Sequence, residues 1–199
     1  NFKNSIVLVD GNVISFPKIS WLKITSFKDF DCPSSNDNLN KLNFVLAKKG
    51  YTITVSEKTL IEDPIVVLFF NTTKNSFFQY RNQINIEKNA QIKVVERIVD
   101  LTNSYNLTNN HTQVNCDENS KLEFNKIQNN TKISSLIDYM NIYQQKNSLC
   151  EVNTLIFGGE FIRNNLNFEQ NGENCESNMN GVSLLNNNQF ADNHTFVDH

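Results

Sequence analysis

The residues best suited to chemistry in this sequence are its histidines, and two of the three lie in the closing stretch ADNHTFVDH. His194 and His199 have Asp192 and Asp198 as neighbours there, and imidazole beside carboxylate is typical of metal sites and of proton transfer near neutral pH. The two histidines are five residues apart, so on a strand they would face opposite sides and could not share one ion without a bend. The pattern favours a structural turn at 193–195, and His199 is retained as a candidate metal ligand.

The cysteines are the other candidates for chemistry. They are Cys32, Cys116, Cys150 and Cys175. No two of them form a CxxC pair, and none has a metal-like spacing with histidine. This favours buried, reduced thiols in a cytosolic protein, because a free cysteine packs as a small hydrophobe. Glu173 and Glu176 would raise the thiol pKa of Cys175, so we do not predict it as a sulfur acceptor.

The remaining polar residues of interest are interpreted as structural. His111, where an alternating segment begins, is predicted to be exposed or at the rim of the fold. Glu96 and Arg97 in VVERI suggest a buried ion pair or a cap, and Arg163 is expected to bond backbone carbonyls with its five donors. Three scattered histidines form no Ser-His-Asp or Cys-His arrangement. The sequence therefore predicts no catalytic residues and no enzyme.

No strongly basic or strongly apolar region stands out in the 199 residues. The net charge is −3, with Lys and Arg scattered among acids, which gives no electrostatic case for nucleic acid as a partner. No run approaches the ~18 apolar residues of a membrane span, and the first residues lack the pattern of a signal peptide. Hydrophobic residues make up 39%, which suits one cytoplasmic domain with a small N-terminal appendage.

Residues 1–63 are predicted to form an irregular N-terminal segment. SIVLVDGNVIS indicates two strands joined by a turn at Asp10 and Gly11. NLNKLNFVLAKKG indicates a short helix that is capped by Asn38 or Asp37 and stops before Gly50. Its apolar side is predicted to comprise Leu39, Leu42, Phe44 and Leu46. YTITV is then a further strand.

Over residues 64–199 the pattern changes to short alternating segments, each interrupted by a polar turn that ends in a small residue. Four such segments align: INIEKNAQIKVVE, QVNCDENSKLEF, NIYQQKNSLCEV and NFEQNGENCESNM. The small residues are Ala90, Ser120, Ser148 and Cys175, at spacings of 30, 28 and 27. The second and fourth residues after each share one face of a strand, because side chains alternate with period two. They are Ile92 and Val94, Leu122 and Phe124, Cys150 and Val152, and Ser177 and Met179.

A near-constant repeat built from strand and turn is typical of a solenoid. One unit cannot bury its apolar face alone, whereas stacked units share a continuous core. The predicted fold class is therefore all-β, a parallel β-helix of wide coils. An antiparallel sandwich is the alternative, and the repeated small corner residue favours the helix. The chain has 35 asparagines, and those at the corners are expected to stack and to share amide hydrogen bonds between coils.

These segments resemble the SufB/SufD family of the SUF iron–sulfur cluster assembly system. IVLVDGNVIS is similar to the family's VFVNG opening, LNFVLAKKGYTITV to its LN-AF---GA-I-V stretch, EDPIVVLF to its PIHL segment and NAQIKVVERI to GA---VVE. The densest similarity runs from GGEFIRNNL to DNHTFVDH, where family members have GG, RN-L, GEGAEA-LNGLYL and DNHT-V-H in the same order. The opening favours the SufD branch, and a SufB-like chain is the alternative.

The resemblance implies a right-handed parallel β-helix that serves as a non-catalytic scaffold with a SufB-like paralogue and a SufC-like ATPase. It implies that this chain binds no cofactor itself and that a nascent iron–sulfur cluster forms transiently in the full complex, with His199 as a candidate on the iron or sulfur path. Family members continue beyond the DNHT-V-H motif, so we expect the chain to be a fragment. Cys175 stands where alanine is usual.

Two other function classes are compatible with a β-helix. A carbohydrate-active enzyme would need closely spaced acids on neighbouring coils, and no such pair recurs in the sequence. An adhesin or other structural solenoid would be expected to carry a secretion leader and more regular repeats. The sequence favours neither class.

Overall fold

The computed structural model describes residues 4–20, 22–26 and 37–199. In chain order its elements are β1 (Ser5–Val9), β2 (Asn12–Ser15), β3 (Leu22–Ser26), α1 (Asn38–Leu46), β4 (Tyr51–Val55), β5 (Ile65–Asn71), β6 (Phe77–Ile86), β7 (Gln91–Asp100), β8 (Leu107–Cys116), β9 (Lys121–Asn129), β10 (Ser135–Gln144), β11 (Leu149–Gly158), β12 (Phe161–Gln170), β13 (Glu176–Ser183) and β14 (Phe190–Asp198). Cys32 lies outside the described residues, so its predicted state stays a prediction.

The strands form two stacked sheets. Sheet A has the order β13-β11-β9-β7-β5-β1-β2, and sheet B has the order β14-β12-β10-β8-β6-β4-β3. From β5 onward the chain alternates between the sheets, and every neighbour within a sheet is parallel. This is the predicted parallel β-helix, and its parallel ladders exclude the antiparallel sandwich.

The sequence repeat is one coil of this helix. Lys121 of β9 pairs with Gln91 of β7 on one side and with Leu149 of β11 on the other, so positions one repeat apart lie side by side. The inward row Ile92, Leu122 and Cys150 is at most 1% exposed. Burial of such rows from coil to coil supplies the continuous apolar core that one coil cannot provide alone.

The corners between the sheets carry the predicted asparagine ladder. The residues before the four small corner residues are Asn89, Asn119, Asn147 and Asn174, and all have φ between 56° and 58°. Asparagine adopts this left-handed conformation more readily than most residues. The amide Nδ2 of each later asparagine donates to Oδ1 of the preceding one, at 3.2, 3.0 and 3.1 Å. The ladder therefore joins four consecutive coils along their edge.

Replacement of Asn119 tests the ladder. Asn119→Ala removes two intercoil amide bonds and places alanine in the left-handed region, so we expect the free energy of unfolding to fall by about 1–2 kcal/mol. Asn119→Gly keeps that backbone conformation at low strain and should lose less. Urea unfolding followed by circular dichroism measures both variants. Two variants as stable as the original chain would show that the ladder does not stabilise the stack.

The N-terminal segment extends both sheets. β1 and β2 are antiparallel, and their connection passes through Asp10 and Gly11, both with positive φ, as the sequence predicted. β1 also pairs in parallel with β5, and β4 pairs with β6. The division into residues 1–63 and 64–199 stays a prediction, although strands from both parts share the two sheets.

Helix α1 begins where predicted. The Asp37 carboxylate caps it by accepting from the backbone N–H groups of Leu39 and Asn40, at 2.8 and 3.2 Å. Leu39 and Phe44 are half-buried. Within the described ranges, no helix has the length and apolar character needed to cross a membrane.

The predicted apolar side of α1 is wrong in part. Leu42 and Leu46 are 37% and 48% exposed, whereas Asn43 is fully buried. The Asn43 amide donates to the backbone oxygens of Tyr80 and Asn109, at 3.1 and 2.8 Å. The helix packs on the outer face of sheet B, where backbone carbonyls need donors, so an amide serves better than an aliphatic side chain at this position.

Candidate functional site

The histidines at the end of the chain do not form one site. Nε2 of His194 lies 3.3 Å from Oδ1 of Asp192, and the His194 side chain is 67% exposed. Nδ1 of His199 lies 2.6 Å from Oε1 of Gln170, on the neighbouring strand of sheet B. The predicted turn at 193–195 is wrong, because these residues belong to β14 and pair in register with β12.

The described residues around His199 do not supply the further ligands that a metal ion would need. Among residues 4–20, 22–26 and 37–199, no three His, Cys, Asp or Glu side chains converge into a metal-binding group. His199 contacts only a neutral amide oxygen by hydrogen bond, whereas transition metals in proteins usually take about four ligands. The role of His199 therefore stays a prediction.

The prediction that His111 is exposed or at the rim of the fold is wrong, because its side chain is fully buried. Its Nε2 lies 3.2 Å from Nδ2 of Asn141, and its ring lies 6.2 Å from that of Tyr139. It belongs to the outer face of sheet B, next to Arg81 in register. The guanidinium of Arg81 lies 4.9 Å from the ring of Phe44 in α1. The helix therefore covers a row that period-two alternation alone assigns to solvent.

Acid is expected to destabilise the protein through His111. Burial, with the positive charges of Arg81 and Lys126, lowers the pKa of His111 to about 3. Below pH ~6.5 His111 binds a proton in the unfolded chain but stays neutral in the folded chain. Its contribution therefore lowers the free energy of unfolding by up to about 1.4 kcal/mol per pH unit. Urea titrations from pH 7 to pH 4 should show His111→Gln gaining stability relative to the original chain by up to about 1.4 kcal/mol per pH unit below pH ~6.5, whereas the exposed-site control His194→Gln should differ from the original chain by a constant amount. Equal slopes in all three would contradict the assignment.

Two further structural predictions need correction in detail. Glu96 is buried at 4% exposure, but Arg97 faces outward, so the buried ion pair does not join these two residues. Arg163 does connect coils, as expected, but through a carboxylate: its Nε and Nη2 donate to Oδ2 of Asp192 at 2.9 and 2.8 Å. Asp192 lies on β14, the strand next to that of Arg163, and the hydrogen-bond partners of Glu96 lie in sheet B. Local sequence reveals neither partner.

Three buried ionisable side chains lie close together inside the coils. We call Glu96, Lys126 and Asp138 the interior charge cluster. Nζ of Lys126 lies 2.7 Å from Oδ2 of Asp138, and these side chains are 5% and 2% exposed. Glu96 and Lys126 are register neighbours in sheet A, and Asp138 faces them from β10 in sheet B. Two acids and one base thus share a space closed to water.

Neutral side chains complete the cluster. The Asn110 amide lies between the two acids and donates to Asp138 Oδ1 at 3.0 Å and to Glu96 Oε1 at 3.4 Å. The Tyr51 hydroxyl donates to Glu96 Oε2 at 3.3 Å, and Gln128 donates to Asp138 Oδ2 at 3.3 Å. Each carboxylate is therefore held in position by donors from other strands.

The charge balance of the cluster sets its protonation. Burial and, after it, the negative charge of Asp138 raise the pKa of Glu96 to about 8, while the charge of Lys126 and the hydrogen bond from Tyr51 oppose this shift. One cation cannot neutralise two carboxylates, and Lys126 is in direct contact with Asp138. At neutral pH the cluster holds a proton on Glu96, which it can release in mildly alkaline solution.

Sequence reasoning missed Lys126 and Asp138, although the signal was present. Lys126 follows Phe124 by two residues, so it shares the inward face of its strand. Asp138 precedes Met140 by two residues on an inward face of β10. A charge in the inward phase of an apolar strand is a sequence signature of a buried polar site.

The prediction of buried, free thiols is confirmed for Cys116 and Cys150 and is wrong in part for Cys175. Cys116 and Cys150 are free and buried, and Cys175 is free and half-buried at a corner. Cys116 ends β8 and Cys150 is the second residue of β11. These strands belong to different sheets, and their inward side chains meet across the interior.

Parallel coils stacked around an apolar core that also encloses a buried ion pair define the protein as a β-solenoid. The family described as "SUF system FeS cluster assembly, SufBD core domain" matches residues 69–199. That span is well over half of the chain and includes every strand from β6 to β14. The chain belongs to the SufBD core domain family.

A curated relative agrees with this assignment. The iron-sulfur cluster assembly protein SufD of Escherichia coli (strain K12) is 22% identical over 120 residues. The alignment covers 60% of this chain and 28% of that SufD. The matched region is therefore less than a third of the relative's length.

Proposed function

We propose that the chain is a SufD-like, non-catalytic scaffold subunit for iron–sulfur cluster assembly, acting in the cytoplasm with a SufB-like paralogue and a SufC-like ATPase. The observation that carries the proposal is the family match across residues 69–199. A SufB-like scaffold chain is the second candidate. The similarity to a SufD protein and the VFVNG-like opening favour the SufD branch.

The fold supports a scaffold role physically. Parallel ladders in both sheets and the asparagine ladder at the corners hold successive coils in fixed register. Such a stack presents long, rigid flanks, and its edge strands carry unpaired backbone donors and acceptors that can pair with another chain. β2 and β3 form these edges at one end of the described sheets. A rigid body with pairable edges suits the positioning of partner subunits.

The iron–sulfur cluster is the cargo of this function and not a resident cofactor of the chain. We place His199 as a candidate contact for iron or sulfide within the assembled complex. The hydrogen bond from its Nδ1 position to Gln170 orients the ring and leaves Nε2 for a ligand. Further ligands would come from partner subunits.

Co-purification tests the scaffold role. The full-length gene is expressed with the SufB-like and SufC-like genes of the same genome, and the complex is purified through a tag on this chain. We expect both partners to be recovered, together with iron and acid-labile sulfide after assembly under anaerobic conditions. Recovery of the tagged chain alone and without metal would contradict the proposal. In a second co-expression a SufD-like gene of the same genome replaces the SufB-like one, and assembly only in that second experiment would assign this chain to the SufB branch.

The same preparation tests His199. His199→Ala should lower the iron content of the complex without releasing the partners. His194→Ala is the matched control, because that imidazole is exposed on the same strand, and it should leave the iron content unchanged. Equal iron in both variants would remove His199 from the metal path and leave the scaffold role intact.

A further inference from the structure

Two buried thiols are in direct contact inside the solenoid, although packing of the core does not require sulfur at either position. Sγ of Cys116 lies 3.2 Å from Sγ of Cys150, and the two residues are 2% and 0% exposed. Cys116 is the last residue of β8, before the corner at 117–120, and Cys150 is the second residue of β11, after the equivalent corner of the following coil at 145–148. The contact therefore links two successive coils across the interior.

The neighbouring coils fill the same positions with other side chains. In sheet B, Cys116 has Ile86 on one side and Gln144 on the other. In sheet A, Cys150 has Leu122 on one side and Ser177 on the other. Aliphatic and polar side chains therefore serve in these two rows equally well. In these two rows, the register neighbours of Cys116 and Cys150 are not cysteines, and the two cysteines are the residues whose sulfur atoms face each other.

The geometry is close to that of a covalent link. A disulfide has an S–S distance of about 2.05 Å, so the two sulfur atoms need to approach by only roughly 1.1 Å. Each cysteine lies within two residues of a corner, where a small rotation of the side chain does not disturb the centre of a strand. The two cysteines are 34 positions apart in sequence, and the segment between them would be closed into one loop.

We infer that Cys116 and Cys150 are a two-electron oxidation site, which hydrogen peroxide converts into a disulfide that joins two successive coils. One thiol sulfur attacks a peroxide oxygen, the O–O bond breaks, and a sulfenic acid and one water are produced. The second sulfur then attacks the sulfenic sulfur and displaces the hydroxyl group, which leaves as a second water with the remaining thiol proton. Two thiols are oxidised, one peroxide is reduced to two waters, and no other reactant is needed. The inference does not depend on the proposed function.

The surroundings determine how this pair behaves. The hydrogen bond with Cys116 and burial raise the pKa of the Cys150 thiol, so its thiolate is scarce and oxidation is slow. Hydrogen peroxide is small enough to reach these buried sulfur atoms, whereas larger oxidants are not. The resulting disulfide is shielded from the thiolates that would reduce it, because they must reach a buried sulfur. The oxidised form should therefore persist until the fold opens.

Cys175 provides a matched control within the same corner region. It is half-buried, and its Sγ lies 3.1 Å from the backbone oxygen of Gly172 and 3.3 Å from that of Gln145. Its sulfur is therefore engaged with carbonyls and not with a thiol. Cys175→Ser should leave the oxidation of the interior pair unchanged.

The test is peptide mapping of the 199-residue chain. The reduced protein is treated with hydrogen peroxide, its free thiols are alkylated after denaturation, and the digest is analysed by mass spectrometry. We expect one cross-linked peptide that joins Cys116 to Cys150, in the original chain and in Cys175→Ser. Cys116→Ala and Cys150→Ala should each lack it. The thermal midpoint of the oxidised chain should rise by roughly 5–10 °C and return on full reduction after unfolding.

Two results would overturn the inference. The first is full alkylation of both interior cysteines under conditions that oxidise Cys175. The second is a cross-link that joins Cys175 or Cys32 to one of the pair in place of the expected link. Because the map of the original chain decides both outcomes, they hold even if an alanine variant fails to fold.

Discussion

Replacing Lys126 by methionine is expected to lower the free energy of unfolding by about 3–5 kcal/mol, because it leaves the buried Asp138 carboxylate without its cation. The loss should exceed that from any exposed ion pair in the described ranges, because water screens those charges. It should also push the pKa of Glu96 upward, since the Lys126 charge now lowers it. Urea unfolding at pH 7 measures the stability change.

Two companion variants separate charge from packing. Lys126→Met combined with Asp138→Asn removes both charges, and we expect it to recover most of the lost stability, because a neutral pair needs no buried counterion. Lys93→Met breaks the exposed pair with Glu123, whose atoms are 3.2 Å apart, and should change stability far less. If the double variant were as unstable as Lys126→Met, the loss would come from packing and not from the unpaired carboxylate.

Alkaline solution is expected to destabilise the protein through Glu96. Its pKa is about 8 in the folded chain and about 4.5 in the unfolded one. Between these values the folded state holds a proton that the unfolded state has lost, so the free energy of unfolding falls as the pH rises. The contribution is fully present below pH ~4.5 and is lost by pH ~8, at up to about 1.4 kcal/mol per pH unit.

Glu96→Gln removes this dependence. Glutamine stays neutral and can still accept from the Tyr51 hydroxyl, so at pH 9 the variant should be more stable than the original chain by about 2–4 kcal/mol. The exposed-site control Glu160→Gln should follow the original profile. Parallel profiles for all three chains between pH 5 and pH 9 would contradict a buried, protonated Glu96.

The two titrating residues act in opposite directions. His111 removes stability below pH ~6.5, and Glu96 removes it above pH ~4.5. Between those values their slopes cancel, so these two groups together produce a plateau in mildly acidic solution, with a fall on either side. Glu96→Gln should therefore move the maximum of stability toward alkaline pH.

The coil architecture could be predicted from the sequence because it depends on local periodicity. The small corner residues recur at spacings of 30, 28 and 27 residues. The residue before each of them takes a left-handed backbone conformation, which asparagine tolerates. The apolar rows follow from alternation in the same way. These signals are positions and spacings along the chain that need no knowledge of contacts between distant residues, so one sequence is enough to read them.

The features that were not predicted depend on contacts between distant residues. The buried face of α1 is set by the carbonyls of Tyr80 and Asn109, far along the chain from Asn43. His111 is buried among residues from other elements, including Tyr139 and Asn141 of β10. Cys116 and Cys150 belong to different sheets and are 34 positions apart in sequence, so their approach is a contact that alternation within a strand does not predict. Lys126 and Asp138 were readable from their inward phase, but their pairing was not.

The asparagine ladder and the interior charge cluster constrain the order of the coils differently. Each ladder position repeats the same residue, so a stack displaced by one whole coil would still match asparagine to asparagine. The interior rows are not repetitive: in sheet A the positions in register are Val67, Glu96, Lys126 and Thr154. A displaced stack would leave Asp138 facing a side chain without positive charge. Buried charge therefore identifies each coil individually, much as a single buried polar residue fixes the alignment of a coiled coil.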